Sequence, residues 1–171
     1  LCNTVLGGIS KEGKRYFYVN PLEVWPQNCL ASTSMAHVKP VRQKWFGCAC
    51  CPPNIARTLA SLGQYIYAQS EDSLYVNQFI SSSTVEIGGQ EIEFSMDSTY
   101  MKDGAVRITA KCGKREEALY LRVRIPEYFK KPTLKVNGKD APLKLEQGYA
   151  VIPLEELTEV CLQGEILPRF V

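Results

Sequence analysis

The chain has 171 residues, of which 45% are hydrophobic and 22% are charged, a composition typical of a globular protein with a substantial core. Its 20 basic and 18 acidic residues leave a net charge of +2 and are spread along the whole length, which excludes the basic patch of a nucleic-acid-binding protein. No apolar run approaches the roughly 20 residues of a membrane span, and no signal peptide is recognisable.

The chain begins at Leu1-Cys2-Asn3, without a methionine and inside what looks like a structural element. We therefore expect the sequence to be a fragment of a longer protein or a trimmed product. The lack of a signal peptide then carries little information about the compartment.

The seven cysteines are an odd number, and they are clustered instead of being spaced as in a disulfide framework. The neighbours Cys50 and Cys51 would form only a strained disulfide. Reduced thiols fit better, and they predict a cytoplasmic location. The scattered cysteines are expected to be small buried apolar side chains. These are Cys2, Cys29, Cys112 and Cys161.

The first predicted element is a β-hairpin, with strands at residues 4–9 and 15–19 around the turn sequence SKEGK. Residues 22–44 follow without a hydrophobic period and contain two prolines and the only histidine, His37. A segment of this length without regular structure predicts a functional loop, or one that packs against something outside the chain.

A helix is predicted to begin near Pro53 and to continue to about Tyr67. Proline suits the first turn of a helix, where its missing N–H costs nothing. Apolar residues then recur at spacings of 4, 3 and 4 and form one face of the helix. These residues are Ile55, Leu59, Leu62 and Ile66.

From residue 70 onwards the hydrophobic pattern has period two, and short runs are separated by turn sequences such as Asn137-Gly138, a strong hairpin signal. This pattern predicts a mainly β fold, an antiparallel β-sandwich over residues 70–171, after an N-terminal part over residues 1–69. The predicted strands are 73–80, 84–87, 92–95, 105–111, 119–125, 133–136, 149–153 and 160–167.

The sequence WFGCACCPPN at residues 45–54, called the thiol motif below, places three cysteines within four positions. Backbone N–H groups and the dipole at a helix N-terminus favour thiolates, and a bound metal favours them more strongly. Zinc takes four ligands in structural sites, or three and an open position in catalytic sites, so Cys48, Cys50 and Cys51 are too crowded to supply them all. The motif indicates a metal site or a reactive thiol, with buried structural cysteines as the alternative.

The segments YFYVNPLE at residues 16–23 and RQKWFGCACCPPNIAR at residues 42–57 resemble the β-L-arabinofuranosidase family, glycoside hydrolase family 127. The segments LRVRIPE at 121–127, VNG at 136–138 and GY at 148–149 are similar to β-domain segments of that family. The resemblance implies an (α/α)6 barrel followed by β-sandwich domains. Residues 1–69 would then be the end of the barrel domain, and the predicted helix would belong to the end of that barrel.

The resemblance also implies a site. Cys50 would be the nucleophile and a zinc ligand, Cys51 would be a second zinc ligand, and Cys48 and Trp45 would lie beside the ligands without binding the metal. Zinc keeps a thiol deprotonated, the thiolate attacks the anomeric carbon, and a carboxylic acid first protonates the leaving oxygen and then activates water, with retention of configuration.

Tyr18 and Asn20 would line the sugar pocket of such a site. The other two zinc ligands of the family and its acid/base glutamate would lie upstream of Leu1. We therefore expect zinc in the full-length protein, an absent or incomplete zinc site in this chain, and no glycosidase activity of the chain alone. The expected partners are a carbohydrate with a terminal arabinofuranose, the missing N-terminal helical barrel and a second copy in a homodimer, with neither nucleic acid nor membrane.

Two other functions are open at this point. The β-sandwich would be a non-catalytic carbohydrate-binding or scaffolding module with structural cysteines, or the chain would be a thiol redox or stand-alone metal protein. Tyrosines offer stacking surface for the first of these, although aromatic residues of a sandwich usually pack in its core or at an interface. These tyrosines are Tyr65, Tyr67, Tyr75, Tyr100, Tyr120 and Tyr149.

Overall fold

The computed structural model describes residues 5–19, 25, 37–47, 51–87, 90–113 and 118–167. The chain divides into two compact units, Leu1–Ser61 and Leu62–Val171. The domain limits expected from the sequence, 1–69 and 70–171, stay a prediction.

The N-terminal unit begins with one helical turn, α1 (Val5–Gly8), which is followed by an isolated antiparallel bridge between Ile9 and Tyr16. The turn between them is closed by the Ser10 N–H, which donates to the Arg15 carbonyl at 2.8 Å. The predicted hairpin is therefore right in its turn and wrong in both strands, because residues 5–8 form a helical turn and Tyr16 makes isolated bridges instead of belonging to a strand. Glycines disfavour a strand at this point, and the Gly7 carbonyl accepts a hydrogen bond from the Arg42 guanidinium instead of from a neighbouring strand.

The predicted helix is present but shorter than expected. It forms α2 (Cys51–Ala60), and a 3₁₀ turn, Leu62–Tyr65, follows at the start of the second unit. Gly63 lies inside this 3₁₀ turn, and glycine disfavours continuation of an α-helix by about 1 kcal/mol relative to alanine. Leu59 is 52% exposed, so the apolar face of α2 is only partly covered in this chain.

The described residues of the second unit form two β-sheets and one short α-helix, α3 (Tyr100–Asp103), which was not predicted from the sequence. The strands are β1 (Tyr67–Gln69), β2 (Ser73–Val76), β3 (Ser82–Ile87), β4 (Gln90–Ser98), β5 (Ala105–Cys112), β6 (Tyr120–Arg124), β7 (Phe129–Val136), β8 (Lys139–Ala141), β9 (Leu145–Glu146), β10 (Tyr149–Pro153) and β11 (Leu157–Ile166).

The five-stranded sheet has the order β1-β2-β6-β10-β9, and the six-stranded sheet has the order β3-β4-β5-β11-β7-β8. Every pairing is antiparallel except that of β2 with β6, which run parallel. The prediction of a mainly β fold with antiparallel sheets is confirmed. Assignment of α2 to a helical barrel stays a prediction.

The inward faces of both sheets contribute to one hydrophobic core. Along β6, Leu121 and Val123 are fully buried while Arg122 and Arg124 lie on the opposite face, because side chains of a strand alternate between its two faces. The alternation of apolar and charged residues in the sequence of β6 therefore predicts correctly which of its side chains are buried. Cys112 is buried in this core as expected, whereas Cys161 is exposed on β11, so the expectation of burial was wrong for Cys161.

Two glycine positions show how tightly the second unit is built. The Asn137-Gly138 turn joins β7 to β8, and both of its residues have positive φ (50° and 77°), which confirms the predicted hairpin. Gly104, which ends α3 with φ 75°, lies so close to β11 that a Cβ atom would overlap the Gly164 carbonyl. Glycine is required there both for its conformation and for its size.

Candidate functional site

The structure locates only part of the predicted thiol site. Cys48, Cys50 and Asn20 lie outside the described residues, as does the side chain of Cys51. Cys51 is the first residue of α2, so Cys50 directly precedes the helix. Cys51 therefore begins the helix at the end where the dipole favours negative charge.

The N-terminus of α2 offers fewer hydrogen-bond donors than that of an ordinary helix. A helix begins with four N–H groups that have no partner within the helix, but here the second and third residues are Pro52 and Pro53, which have no N–H. The first turn contains no acidic residue that would oppose a thiolate. The N-terminus of α2 alone would therefore stabilise a nearby thiolate only weakly.

The segment that leads into the thiols is held by aromatic packing. Phe46 is buried, and its ring lies 5.2 Å from that of Tyr16 and 5.3 Å from that of Tyr18. The neighbouring Trp45 is 73% exposed. The structure thus packs Tyr18, a predicted sugar-binding residue, against Phe46, which precedes Cys50 by four positions in the sequence.

His37 is part of the same aromatic cluster, because its ring lies 4.4 Å from the Tyr18 ring. This contact could not be predicted from the sequence, since His37 belongs to a segment without hydrophobic periodicity. The long separation along the chain between His37 and Tyr18 leaves no local signal that predicts their packing.

Arg42 fixes the start of this segment to the N-terminal turn. Its guanidinium donates to the Gly7 carbonyl at 2.7 Å and to the Gly8 carbonyl at 3.3 Å, and it lies 4.8 Å above the Phe17 ring. The next residue, Gln43, exchanges two backbone hydrogen bonds with Tyr16. Arg42 therefore positions the polypeptide that carries Trp45 and the thiols, and its role is structural.

Metal ions in proteins are held mainly by His, Cys, Asp and Glu side chains. The part of the chain that the structure describes contains no group of three or more His, Cys, Asp or Glu side chains that could hold a metal ion. The sulfurs of Cys50 and Cys51 are suitable zinc donors in kind, but they are fewer than the three or four protein ligands that zinc requires. A complete zinc site would need donors in addition to these two.

Two domain profiles of one family match the chain. The profile described as "Beta-L-arabinofuranosidase, GH127 catalytic domain" matches residues 1–64, and the profile described as "Beta-L-arabinofuranosidase, GH127 middle domain" matches residues 73–156. The first match contains the thiol motif, and the second contains most strands of the sandwich.

Sequence and structural similarity to known proteins agrees with these two family matches. The chain is 36% identical to the "Non-reducing end beta-L-arabinofuranosidase" of Bifidobacterium longum subsp. longum, over 100% of this chain and 27% of that protein. Its structure matches the crystal structure of a GH127 β-L-arabinofuranosidase from Geobacillus stearothermophilus T6 with a TM-score of 0.76 and 40% identity, over 94% of this chain and 26% of the other. A second solved structure, described as a glycoside hydrolase, gives a TM-score of 0.76 and 29% identity over 94% of this chain and 27% of the other.

The chain spans about a quarter of the length of these relatives. Within that span, the family matches cover both the thiol motif and the β-sandwich, and the similarity of the structures extends over nearly the whole chain. The described residues contain no helix that is both long and apolar enough to cross a membrane. The chain therefore belongs to the β-L-arabinofuranosidase family, glycoside hydrolase family 127.

Proposed function

We propose that this chain is part of a zinc-dependent retaining glycoside hydrolase that removes terminal β-L-arabinofuranose with the Cys50 thiolate as nucleophile. The observation that carries the proposal is the match of the GH127 catalytic-domain profile to residues 1–64, because this match contains Cys50. A relative 36% identical to the chain is named as a non-reducing end β-L-arabinofuranosidase, which supports the choice of substrate.

In the proposed reaction, the Cys50 thiolate attacks the anomeric carbon and forms a carbon–sulfur bond as the glycosidic carbon–oxygen bond breaks. A carboxylic acid, supplied by residues outside this chain, gives its proton to the leaving oxygen. The resulting carboxylate then takes a proton from water, whose oxygen displaces the sulfur. Two displacements at one carbon retain its configuration.

Cys50 and Cys51 would hold the zinc ion together with donors outside this chain. When bound, zinc supplies the positive charge that keeps the Cys50 thiol deprotonated at neutral pH. This requirement agrees with the two prolines in the first turn of α2, since they remove donors that would otherwise stabilise a thiolate.

Four further residues are assigned to the surroundings of the thiol. Tyr18 is fixed by its contacts with Phe46 and His37, so its position in a sugar pocket would be well defined. Trp45 is largely exposed and would form a wall of the pocket. Asn20 would bind a sugar hydroxyl, and Cys48 would support the loop without binding the metal.

The rest of the pocket would come from the helical barrel. Leu59 on α2 is 52% exposed, as expected for a helix that packs against further helices. A homodimer and a cytoplasmic location also remain proposals.

The proposal is tested in the full-length protein with an aryl β-L-arabinofuranoside. Replacement Cys50→Ser should lower kcat/KM by about a thousandfold or more without changing the unfolding temperature, because it removes the nucleophile and leaves the fold intact. Cys48→Ser is the matched control in the same loop and should retain activity within about tenfold. NMR should show that the first sugar released is the β-anomer. Wild-type turnover by the Cys50 variant, or initial release of the α-anomer, would refute the mechanism.

A further inference from the structure

The second unit contains a cleft of about 520 Å³ at one end of the five-stranded sheet. One wall is formed by the end of β6 and the residues after it, and the other by the turn between β9 and β10. The Ile125 N–H donates to the Gly148 carbonyl at 2.8 Å and joins the two walls. A cleft of this volume is in the range of small-molecule sites, which is roughly 300–1,000 Å³.

Two charged side chains of opposite sign line this cleft, Arg124 and Glu127, and both are exposed. Neither side chain has a hydrogen bond or ion pair within the described part of the chain, and they do not pair with each other. By contrast, the neighbouring Arg122 is engaged by Glu146 at 3.0 Å and by Ser73 at 3.2 Å. The cleft therefore holds one free donor group and one free acceptor group.

Two aromatic rings complete the cleft. Tyr149 is fixed, because its hydroxyl donates to Asn77 at 2.7 Å and its ring lies edge-on to Tyr75 at 5.4 Å. Tyr128 is 46% exposed, so part of its ring is free for contact with a ligand. Exposed tyrosine rings offer large, rigid contact area beside a polar group.

A buried tyrosine lies close to the cleft. The Tyr100 side chain is 6% exposed. Burial, followed by a hydrogen bond with the Tyr128 phenol, raises the pKa of Tyr100, while Arg124 acts in the opposite direction. Tyr100 therefore interacts with two of the side chains that line the cleft, Tyr128 and Arg124.

We propose that this cleft binds a neutral saccharide. The Arg124 guanidinium would donate to one sugar hydroxyl, the Glu127 carboxylate would accept from another, and a sugar face would lie on the Tyr128 ring. A polyol offers a hydroxyl oxygen to Arg124 and a hydroxyl hydrogen to Glu127, whereas a simple anion or cation can pair with only one of the two side chains. This site goes beyond the proposed hydrolase function and does not depend on Cys50.

The test uses the full-length protein and short arabino-oligosaccharides, with Tyr128→Trp as a reporter that preserves an aromatic face. The sugars should produce a saturable change in tryptophan fluorescence. Tyr65→Trp is the matched control, because Tyr65 is 59% exposed in the same unit but does not line the cleft. It should show only the signal of the wild-type protein, which contains Trp25 and Trp45.

Replacements Arg124→Ala and Glu127→Gln in the Tyr128→Trp protein should each weaken sugar binding about tenfold, and arabinofuranosidase turnover should stay unchanged. Acidic oligogalacturonides should bind more weakly than the neutral sugars. The proposal is overturned if Tyr128→Trp gives no saturable change, as when the rest of the protein covers the cleft, or if both replacements leave binding unaffected. Loss of turnover in Cys50→Ser leaves this test intact, so the two proposals fail separately.

Discussion

The two units of the chain use their hydrophobic residues differently. In Leu62–Val171, residues from both sheets form one continuous core, in which Ile92 and Ile108 are fully buried. Among the described residues of Leu1–Ser61, Phe46 is the one buried hydrophobic side chain, whereas Val41 and Trp45 are 62% and 73% exposed. The second unit has a core of its own, whereas the described residues of the first unit bury little apolar surface.

This difference indicates that the residues that stabilise the fold and the proposed catalytic residues belong to different units. Burial of apolar side chains is the main source of folding free energy, so most of the stability of this chain resides in the sandwich. The proposed nucleophile and zinc ligands belong to the first unit, whose described residues form little core. Substitutions in the two units should therefore affect different measurements, and the following predictions test that separation.

The largest effect on stability is expected from a truncation in the sandwich core. Phe94 is 1% exposed and its ring contacts that of Tyr67, so Phe94→Ala should lower the free energy of unfolding by about 3–5 kcal/mol. Leu59→Ala, at a half-exposed position of α2, should cost less than about 1 kcal/mol. Urea denaturation of both variants measures the difference. Equal losses would contradict the comparison between the units.

A somewhat smaller loss is expected at the close approach of α3 and β11. Gly104→Ala should lower the free energy of unfolding by about 2–4 kcal/mol, because the new Cβ would overlap the Gly164 carbonyl and the residue has a φ of +75°. Gly113→Ala is the matched control, since nothing lies within 4 Å of its Cβ position and its φ is not positive. Similar thermal unfolding of the two variants would show that the contact does not constrain the fold.

Substitution of a third glycine, Gly138, measures the cost of a positive φ without the steric overlap that occurs at Gly104. Gly138 has a φ of +77°, but nothing lies within 4 Å of its Cβ position. Gly138→Ala should therefore cost only about 1 kcal/mol in urea denaturation, less than Gly104→Ala. A larger loss at Gly138 than at Gly104 would reverse the predicted order.

The smallest effect concerns the pH dependence of stability. The hydrogen bond from the Thr99 hydroxyl is the main cause that lowers the pKa of the exposed Asp103 carboxyl, and a smaller loss of hydration opposes it. A carboxylate with a lowered pKa stabilises the fold fully above its unfolded pKa of about 3.9, and this contribution is lost as the pH falls through the lower folded value. The stability difference between wild type and Asp103→Asn should thus shrink in acid. The stability difference between wild type and Thr99→Ala should also shrink in acid, because this variant lacks the hydroxyl that lowers the pKa of Asp103. A stability difference that grows in acid for either variant would contradict this assignment.

The sandwich was largely predictable from the sequence because its signals are local. Alternation around Leu121 and Val123 gives the buried face of a strand, and Asn137-Gly138 gives a turn that needs two positive φ values. The parallel pairing of β2 with β6 joins residues far apart in the chain, and no local pattern encodes it. A four-residue helix such as α3 is too short for a hydrophobic period.

The candidate site was predictable only as a motif. Adjacent cysteines, two prolines and the start of a helix follow each other in the sequence, so α2 could be expected there. The packing of His37 and Phe46 around Tyr18 could not, because these residues come from segments without periodicity and meet through tertiary contacts. Cys112 and Cys161 differ in burial because they point to opposite faces of the six-stranded sheet, which their residue type alone does not reveal.

The most direct test of the account is the zinc content of the full-length protein, measured by elemental mass spectrometry after purification without added metal. We expect stoichiometric zinc in the wild type and in the control Cys161→Ser, whose thiol is exposed on the sandwich, and a large loss of zinc in Cys51→Ser. A wild-type protein that is active without zinc, or unchanged zinc in Cys51→Ser, would contradict the proposed metal-assisted thiol site.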